Sequence, residues 1–216
     1  ITNDKKKYFD ILQYALKKKY PISHQAYSHL AKNGDIEHLK FLHNYYLKIV
    51  SDKINHNAYD WDYLTTNFAA EHGHLDCLKY LYYSGCEYHS SVYLSACANN
   101  HLECIQFLVG NNIPRPPELA SYVIKHSSLP ILKYLHEHGC SIFHDDFFHA
   151  VNEHKLDMLQ YMHTQREKLE PLPFSSIFSV YSTYEQVINE LYNVYGSNTT
   201  KEILEFLESI IAKKEF

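Results

Sequence analysis

The segment AAEHGHLDCLKYLYYSGC, residues 69–86, decides how this chain is read. Its centre, LDCLKYL at 75–81, returns as LECIQFL from Leu102, LPILKYL from Leu129 and LDMLQYM from Leu156, and upstream as IEHLKFL from Ile36 and FDILQYA from Phe9. Successive starts are 27, 39, 27, 27 and 27 residues apart, so one register holds throughout except for twelve extra residues between the second and third copies. A weaker seventh copy, KEILEFL, begins at Lys201. Recurrence at a fixed period marks an array in which each unit buries its apolar face against its neighbours.

Within a copy the fourth place is aliphatic (Leu12, Leu39, Leu78, Ile105, Leu132, Leu159) and the sixth aromatic (Tyr14, Phe41, Tyr80, Phe107, Tyr134, Tyr161). The fifth place is always Lys or Gln, while the first, fourth and eighth share one helical face. This predicts amphipathic helices near 9–18, 36–46, 75–84, 102–110, 129–138 and 156–165, with the sixth-place aromatics inside the stack. About five residues before each lies a shorter apolar element with the paired columns Leu30-Ala31, Ala69-Ala70, Ala96-Cys97, Val123-Ile124 and Ala150-Val151. Small residues in those columns let two helices approach closely. Gly34 and Gly73 fall in the turn between the two helices, and Gly85 and Gly139 just past the second, where a left-handed cap is needed. The fold class is therefore all-α, a solenoid of stacked helix-turn-helix repeats over residues 1–165. A Pro-containing linker follows at 166–184, broken by Pro171 and Pro173, and a helical pair at 185–216 closes the array. In that pair EQVINELYNVYG reads as one helix, and Thr199-x-x-Glu202 as a capping box opening the last. The insertion around LKIVSDKINHNAYDWDY, with the only Trp, Trp61, reads as an elongated finger, the alternative being a long loop packed onto the array. Because the first residue is Ile and the copy at Phe9 has no room for its partner helix, the natural protein is expected to begin earlier.

These residues resemble the ankyrin repeat. AAEHGHLDCLKYLYYSGC follows the family pattern A-A-x-x-G-H-x-E-x-V-K-x-L-x-x-x-G-A, and the likeness extends with falling fidelity over residues 8–165. The opening T-P-L-H is replaced by LTTN at 64–67, and the period is shorter than the usual, about 33 residues. The missing residues belong to the β-hairpin finger, so the resemblance implies plain loops and an ankyrin-like solenoid with little or no β-hairpin. The short form is similar to divergent ankyrin repeats of large DNA viruses and some protists.

His72, His74, Cys77 and Cys86 stand close enough in sequence to suggest zinc. The register argues otherwise: His74 and Cys77 recur as His101 and Cys104. Equivalent residues of neighbouring repeats stand about 8–10 Å apart, whereas zinc needs four ligands at about 2.0–2.3 Å. No metal is therefore assigned. Five cysteines, an odd number without a CxxC pair, suit reduced thiols and an intracellular, cytoplasmic setting. Cys86 and Cys140, two repeats apart, are expected roughly 20 Å from each other, beyond disulfide reach. The net charge of −5 argues against a nucleic-acid partner, and Lys5 to Lys7 with Lys17 to Lys19 read as a solvated helix face. No window approaches eighteen uncharged apolar residues and no signal peptide is present, so no membrane partner is expected. GxSxG, HExxH and phosphate-binding loops are all missing, so no catalytic residue and no cofactor is assigned, and the chain is not read as an enzyme.

The resemblance implies a protein-protein interaction scaffold that binds a partner through the concave face of its inner helices. Carried onto this chain, that column is His29, Phe68, Ser95, Tyr122 and His149, flanked by Asn33, His72, Asn99, His126 and Glu153. His29, Phe68, Tyr122, His149, His72 and His126 form the predicted partner-binding set, for a protein partner not identified by the sequence. The alternatives are a structural or cementing component of a larger viral assembly, and an adaptor recruiting targets to a ubiquitin ligase. For the latter no F-box-like LPxEI stretch is visible.

Overall fold

The computed structural model describes residues 2–18, 20, 23–51, 61–143, 146–165, 184–195 and 199–213. Among these the fold is all-α, with no strand. Pro171, Pro173 and the centre of the insertion, 52–60, lie outside the described residues. The chain forms two compact units, Ile1–Pro114 and Arg115–Phe216. The first holds α1 (Thr2–Lys17), α2 (His24–Lys32), α3 (Ile36–Ser51), α4 (Tyr63–Glu71), α5 (Leu75–Tyr83), α6 (Ser91–Ala98) and α7 (Leu102–Gly110). The second holds α8 (Leu119–His126), α9 (Leu129–Glu137), α10 (Asp146–Asn152), α11 (Leu156–Thr164), α12 (Tyr184–Tyr195) and α13 (Lys201–Lys213).

In the first unit α2, α4 and α6 pack side by side as one row, and α3, α5 and α7 as another. In the second unit α8, α10 and α12 form the first row and α9 packs on α11 in the other. Each unit is thus a short solenoid of helical pairs.

Local chemistry sets the helix ends. The Ser23 hydroxyl accepts the N–H of Gln25 at 3.1 Å, and Asp62 Oδ1 accepts those of Leu64 and Thr65 at 3.1 and 3.3 Å, satisfying donors that a helix start leaves unpaired. At the far end of α4, the N–H of Gly73 returns to Ala70 O and that of His74 to Ala69 O, a closure that requires a left-handed residue between them. Gly34 and Gly73 supply it at φ +64° and +71°. The same closure follows α6 and α10, where Asn100 and His154 take φ +59° and +52°, and Asn112 ends α7 at +55° as Gly85 ends α5 at +80°. Ser127 departs from the column at φ −127°, its N–H bonded to Val123 O at 2.8 Å.

The paired columns of the first helices, from Leu30-Ala31 to Ala150-Val151, are all buried. On the second helices the buried columns are the fourth place and the seventh (Leu42, Leu81, Leu108, Leu135, Met162), joined by Cys77, Cys104, Ile131 and Met158 at the third. The sixth-place aromatics are not inside this core as expected. Phe41, Tyr80, Phe107, Tyr134 and Tyr161 are half-buried, and Tyr14 is 59% exposed. The reason is rotational: with the third, fourth and seventh places pointing inward, the sixth lies at the edge of the apolar stripe, toward the neighbouring second helix. Phe41 meets Phe9 at the first place of the first copy and Tyr134 the His138 of its own helix, while Tyr80, Phe107, Tyr161 and Phe206 meet the eighth place of the preceding copy. Tyr80 OH lies 2.7 Å from His43 Nδ1, and Tyr161 OH lies 2.8 Å from His136 Nδ1. Phe107 meets Tyr82 edge-on at 5.5 Å, and Phe206 meets His163 at 5.6 Å. Fifth-place lysines join two of these contacts, Lys40 over the Tyr80 ring and Lys133 over that of Tyr161.

Two further expectations are corrected. Trp61 does not stand in a projecting finger: it is 7% exposed, with its ring 4.1 Å from His43 and 5.6 Å from Tyr27. The indole also meets the Tyr80 ring edge-on at 6.4 Å, so it is packed among rings of the second and third copies. The capping box at Thr199 does not form. α13 opens one residue later, with the N–H of Leu204 bonded to Thr200 O, and among the described residues the buried Thr199 hydroxyl has no hydrogen-bond partner.

Burial holds the pKa of His43 below the ordinary value of about 6.5. As pH falls through that value the unfolded chain takes up the proton first, so the stability due to neutral His43 is present above it and lost below. Denaturation midpoints should therefore fall between pH 7.5 and 5, and less steeply in His43→Phe, which keeps a ring against Trp61 but cannot titrate. An unchanged slope in that variant would show that His43 does not titrate differently in the two states.

Candidate partner-binding surface

The repeat signature itself is occupied in holding the stack together. The His74 ring lies so close over Gly34 that a Cβ there would stand 2.5 Å from its Nδ1, and His101 sits the same way over Gly73. From that position His74 Nε2 donates to Lys32 O at 3.0 Å, and His101 Nε2 to Glu71 O at 3.0 Å. A carbonyl only accepts, so both rings carry their proton on Nε2. Each histidine thereby satisfies a carbonyl in the last turn of the preceding first helix. His72 Nδ1 is 3.1 Å from Phe68 O, within its own repeat. Cys77 and Cys86 are buried, and burial pushes the Cys86 thiol up to about 12 and that of Cys104 up to about 11. None of the five cysteines is in a disulfide. The four residues that suggest zinc therefore do separate work, the two histidines on backbone carbonyls and the two thiols as small core groups. Among the described residues no group of three or more His, Cys, Asp and Glu has the geometry of a metal site.

With the signature absorbed, the predicted partner-binding residues fall three to each unit. In the first, His29 is exposed on α2, Phe68 is half-buried on α4, and His72 is the half-buried C-cap of α4. Lys32 Nζ lies 5.9 Å from the Phe68 ring centroid, and the His72 ring stacks nearly parallel to that of His74 at 6.3 Å. In the second, Tyr122 and His126 lie one turn apart on α8 with ring centroids 4.5 Å apart, Tyr122 half-buried and His126 exposed. His149 is half-buried on α10. Its pKa is lowered first by burial and then by the Lys125 ammonium, against the opposing pull of Asp146 and Glu153. Ser95 is half-buried, while Asn99 and Glu153 are exposed.

Lys32 and Lys125 are part of these clusters and were not among the residues the sequence nominates. Each belongs to a copy preceding the aromatic or histidine it faces, so only spatial stacking reveals it. Asp146 anchors the second cluster from below. It is 2% exposed, with its carboxylate accepting from the Ser121 hydroxyl at 2.6 Å and the Phe143 N–H at 2.9 Å. Burial raises its pKa and these two donors work against that rise. Chemically, each unit offers flat rings, imidazoles and one ammonium along its first helices, a surface suited to packing on another protein.

Residues 66–146 match the family described as ankyrin repeats, three copies. No curated protein and no solved structure matches the chain significantly. The matched span runs from α4 to the start of α10 and contains the Gly73–His101 contact and the left-handed turns at 73 and 100. Ankyrin repeats are in general protein-protein interaction modules, and no described helix is long and apolar enough to cross a membrane. Residues 66–146, then, carry three ankyrin repeats.

Proposed function

We propose that the protein is a binding scaffold without catalytic activity of its own, which engages a protein partner through the first-helix surfaces of its two units. The observation that carries this reading is the contrast between columns on the same helices. The paired core columns hold Leu, Ala, Val, Ile and Cys at near-zero exposure, while the adjacent column holds His29, Phe68, Tyr122 and His149 in contact with solvent. Core packing does not require aromatic rings and imidazoles there, and interface cores are enriched in such groups. An intracellular setting is part of the proposal, supported by five cysteines that form no disulfide, four of them buried.

The test is affinity capture with the intact chain followed by titration of the recovered partner. Phe68→Ala/Tyr122→Ala/His149→Ala should weaken binding by about a hundredfold while preserving the helical circular dichroism signal. The control is Lys79→Ala/Gln106→Ala/Lys133→Ala, three exposed positions on the second helices, which should leave binding nearly intact. Loss of binding in the control with retention in the first variant would move the interface to the other row of helices.

A further inference from the structure

Asn33-Gly34 is the one Asn-Gly pair in the sequence, and it stands in the turn that the His74 ring covers. Such a pair carries chemistry of its own. The backbone nitrogen that follows an asparagine can attack the side-chain carbonyl carbon, and glycine, with no Cβ, leaves that approach open. A new N–C bond forms, and the proton of the attacking nitrogen, carried by solvent, departs with the side-chain nitrogen as ammonia. Water then opens the five-membered imide. Opening at the side-chain carbonyl gives aspartate. Opening at the main-chain carbonyl gives isoaspartate, whose backbone runs through the side-chain carbon and is one methylene longer.

In the folded chain every moving part of this reaction is held. Asn33 is exposed, so water reaches its amide, but Nδ2 donates to His29 O at 2.9 Å. The attacking nitrogen, that of Gly34, donates to Ala31 O at 3.2 Å. Ring closure also requires Asn33 to turn away from the ψ of 0° that it holds as the C-cap of α2. His74 resists that turn on both sides of Asn33. Its Nε2 binds Lys32 O at 3.0 Å, while its ring lies so close over Gly34 that a Cβ there would stand 2.5 Å away. One imidazole from the next copy thus pins the two peptide planes that have to rotate against each other.

We infer that Asn33 is a deamidation site gated by His74, converted to aspartate or isoaspartate only while the ring is off the turn. Once isoaspartate forms, the added methylene shifts Gly34 from beneath the ring, so a passing separation of the two copies becomes a permanent one. Either product also places a carboxylate one helical turn from His29. The other paired asparagines lack this reactivity: Asn99 and Asn111 are followed by Asn100 and Asn112, whose side chains obstruct the attack. Asn111 Nδ2 makes the same type of bond, to Phe107 O at 2.7 Å, and serves as the internal reference.

The intact chain, aged at mildly alkaline pH and mapped by peptide mass spectrometry, tests this, with an isoaspartate-specific methyltransferase to tell the two acids apart. Asn33 should convert readily in denaturant and about tenfold or more slowly in the folded wild type, where Asn99 and Asn111 should remain amides. His74→Ala should speed conversion of the folded chain about tenfold, through loss of one hydrogen bond and of the ring over the turn. The control is His101→Ala, which removes the same contact one copy further on, over Gly73, where the preceding residue is His72; it should leave the Asn33 rate near that of the wild type. Equal acceleration in the two variants overturns the gate and assigns the reaction to global unfolding, and a His74→Ala rate equal to the wild type's overturns it as well. A folded wild type that converts as fast as the denatured chain does so without any variant, and an Asn33 that stays an amide in denaturant removes the site itself.

Discussion

Replacing Leu132 by alanine is expected to destabilise the second unit by about 3–4 kcal/mol, whereas Tyr134→Ala, two residues further along α9, is expected to cost about 1–2 kcal/mol. The difference is geometric. Leu132 is at 0% exposure in the fourth-place column, so truncation removes buried methyl groups and leaves a cavity between packed helices. Tyr134 is half-buried, with its ring 4.1 Å from the His138 ring on the same helix, so solvent closes part of the space that it leaves. Lys133→Ala should cost about 0.5 kcal/mol, the loss of one exposed cation over the Tyr161 ring. Chemical denaturation at constant m value would measure all three. Equal shifts for Leu132→Ala and Tyr134→Ala would return the aromatic column to the core and contradict the rotation of the second helices described above.

Gly73→Ala should be nearly as severe, at about 3 kcal/mol, and Gly85→Ala much milder, at about 1 kcal/mol. Both glycines have positive φ, so both substitutions meet the left-handed penalty of an L-residue, about 1–2 kcal/mol. Only Gly73 has a second obstacle. Its added Cβ would stand 2.5 Å from His101 Nδ1, whereas nothing lies within 4 Å of a Cβ at Gly85. To accommodate it the His101 ring must leave its position over the turn and give up its bond to Glu71 O, at a further cost of about 1–2 kcal/mol. A double-mutant cycle isolates this part: in a His101→Ala background, Gly73→Ala should cost no more than Gly85→Ala. If the excess persisted there, the backbone and not the histidine would be its source.

Much of this architecture is written openly in the chain because burial and repetition act together. A position buried in every copy has to be apolar in every copy, which is why the fourth-place column and the paired columns of the first helices can be read without coordinates. The aromatic sixth place misled because hydrophobicity does not separate the centre of an apolar stripe from its edge, and at the edge a ring can bridge two helices while still touching water. Left-handed turns were legible at Gly34, Gly73, Gly85 and Gly139 but not at Asn100, Asn112 and His154. The register shows why substitution is tolerated at 100: the copies after Gly34 and Gly73 place His74 and His101 in the packing column, while the copy after Asn100 has Ser128 there. On the candidate surface, residue types and columns were readable, but Lys32 beside Phe68 and Lys125 beside His149 were not, because each pairing spans two copies with no sequence spacing of its own.

The two histidine bonds also measure how much the chain tolerates a change of length. His101 reaches back 30 residues to Glu71, and His74 reaches back 42 to Lys32 for the same contact at the same 3.0 Å. Both close a loop, and the entropy of closure grows only with the logarithm of loop length, so the longer loop costs about 0.3 kcal/mol more than the shorter. That is far below the contribution of one buried leucine, about 2 kcal/mol or more. Selection on stability is therefore nearly blind to the number of residues connecting the second and third copies. Lengthening there is thermodynamically cheap as long as the histidine still reaches its carbonyl, whereas a single residue added inside α5 or α6 would rotate the rest of that helix's buried column away from the core.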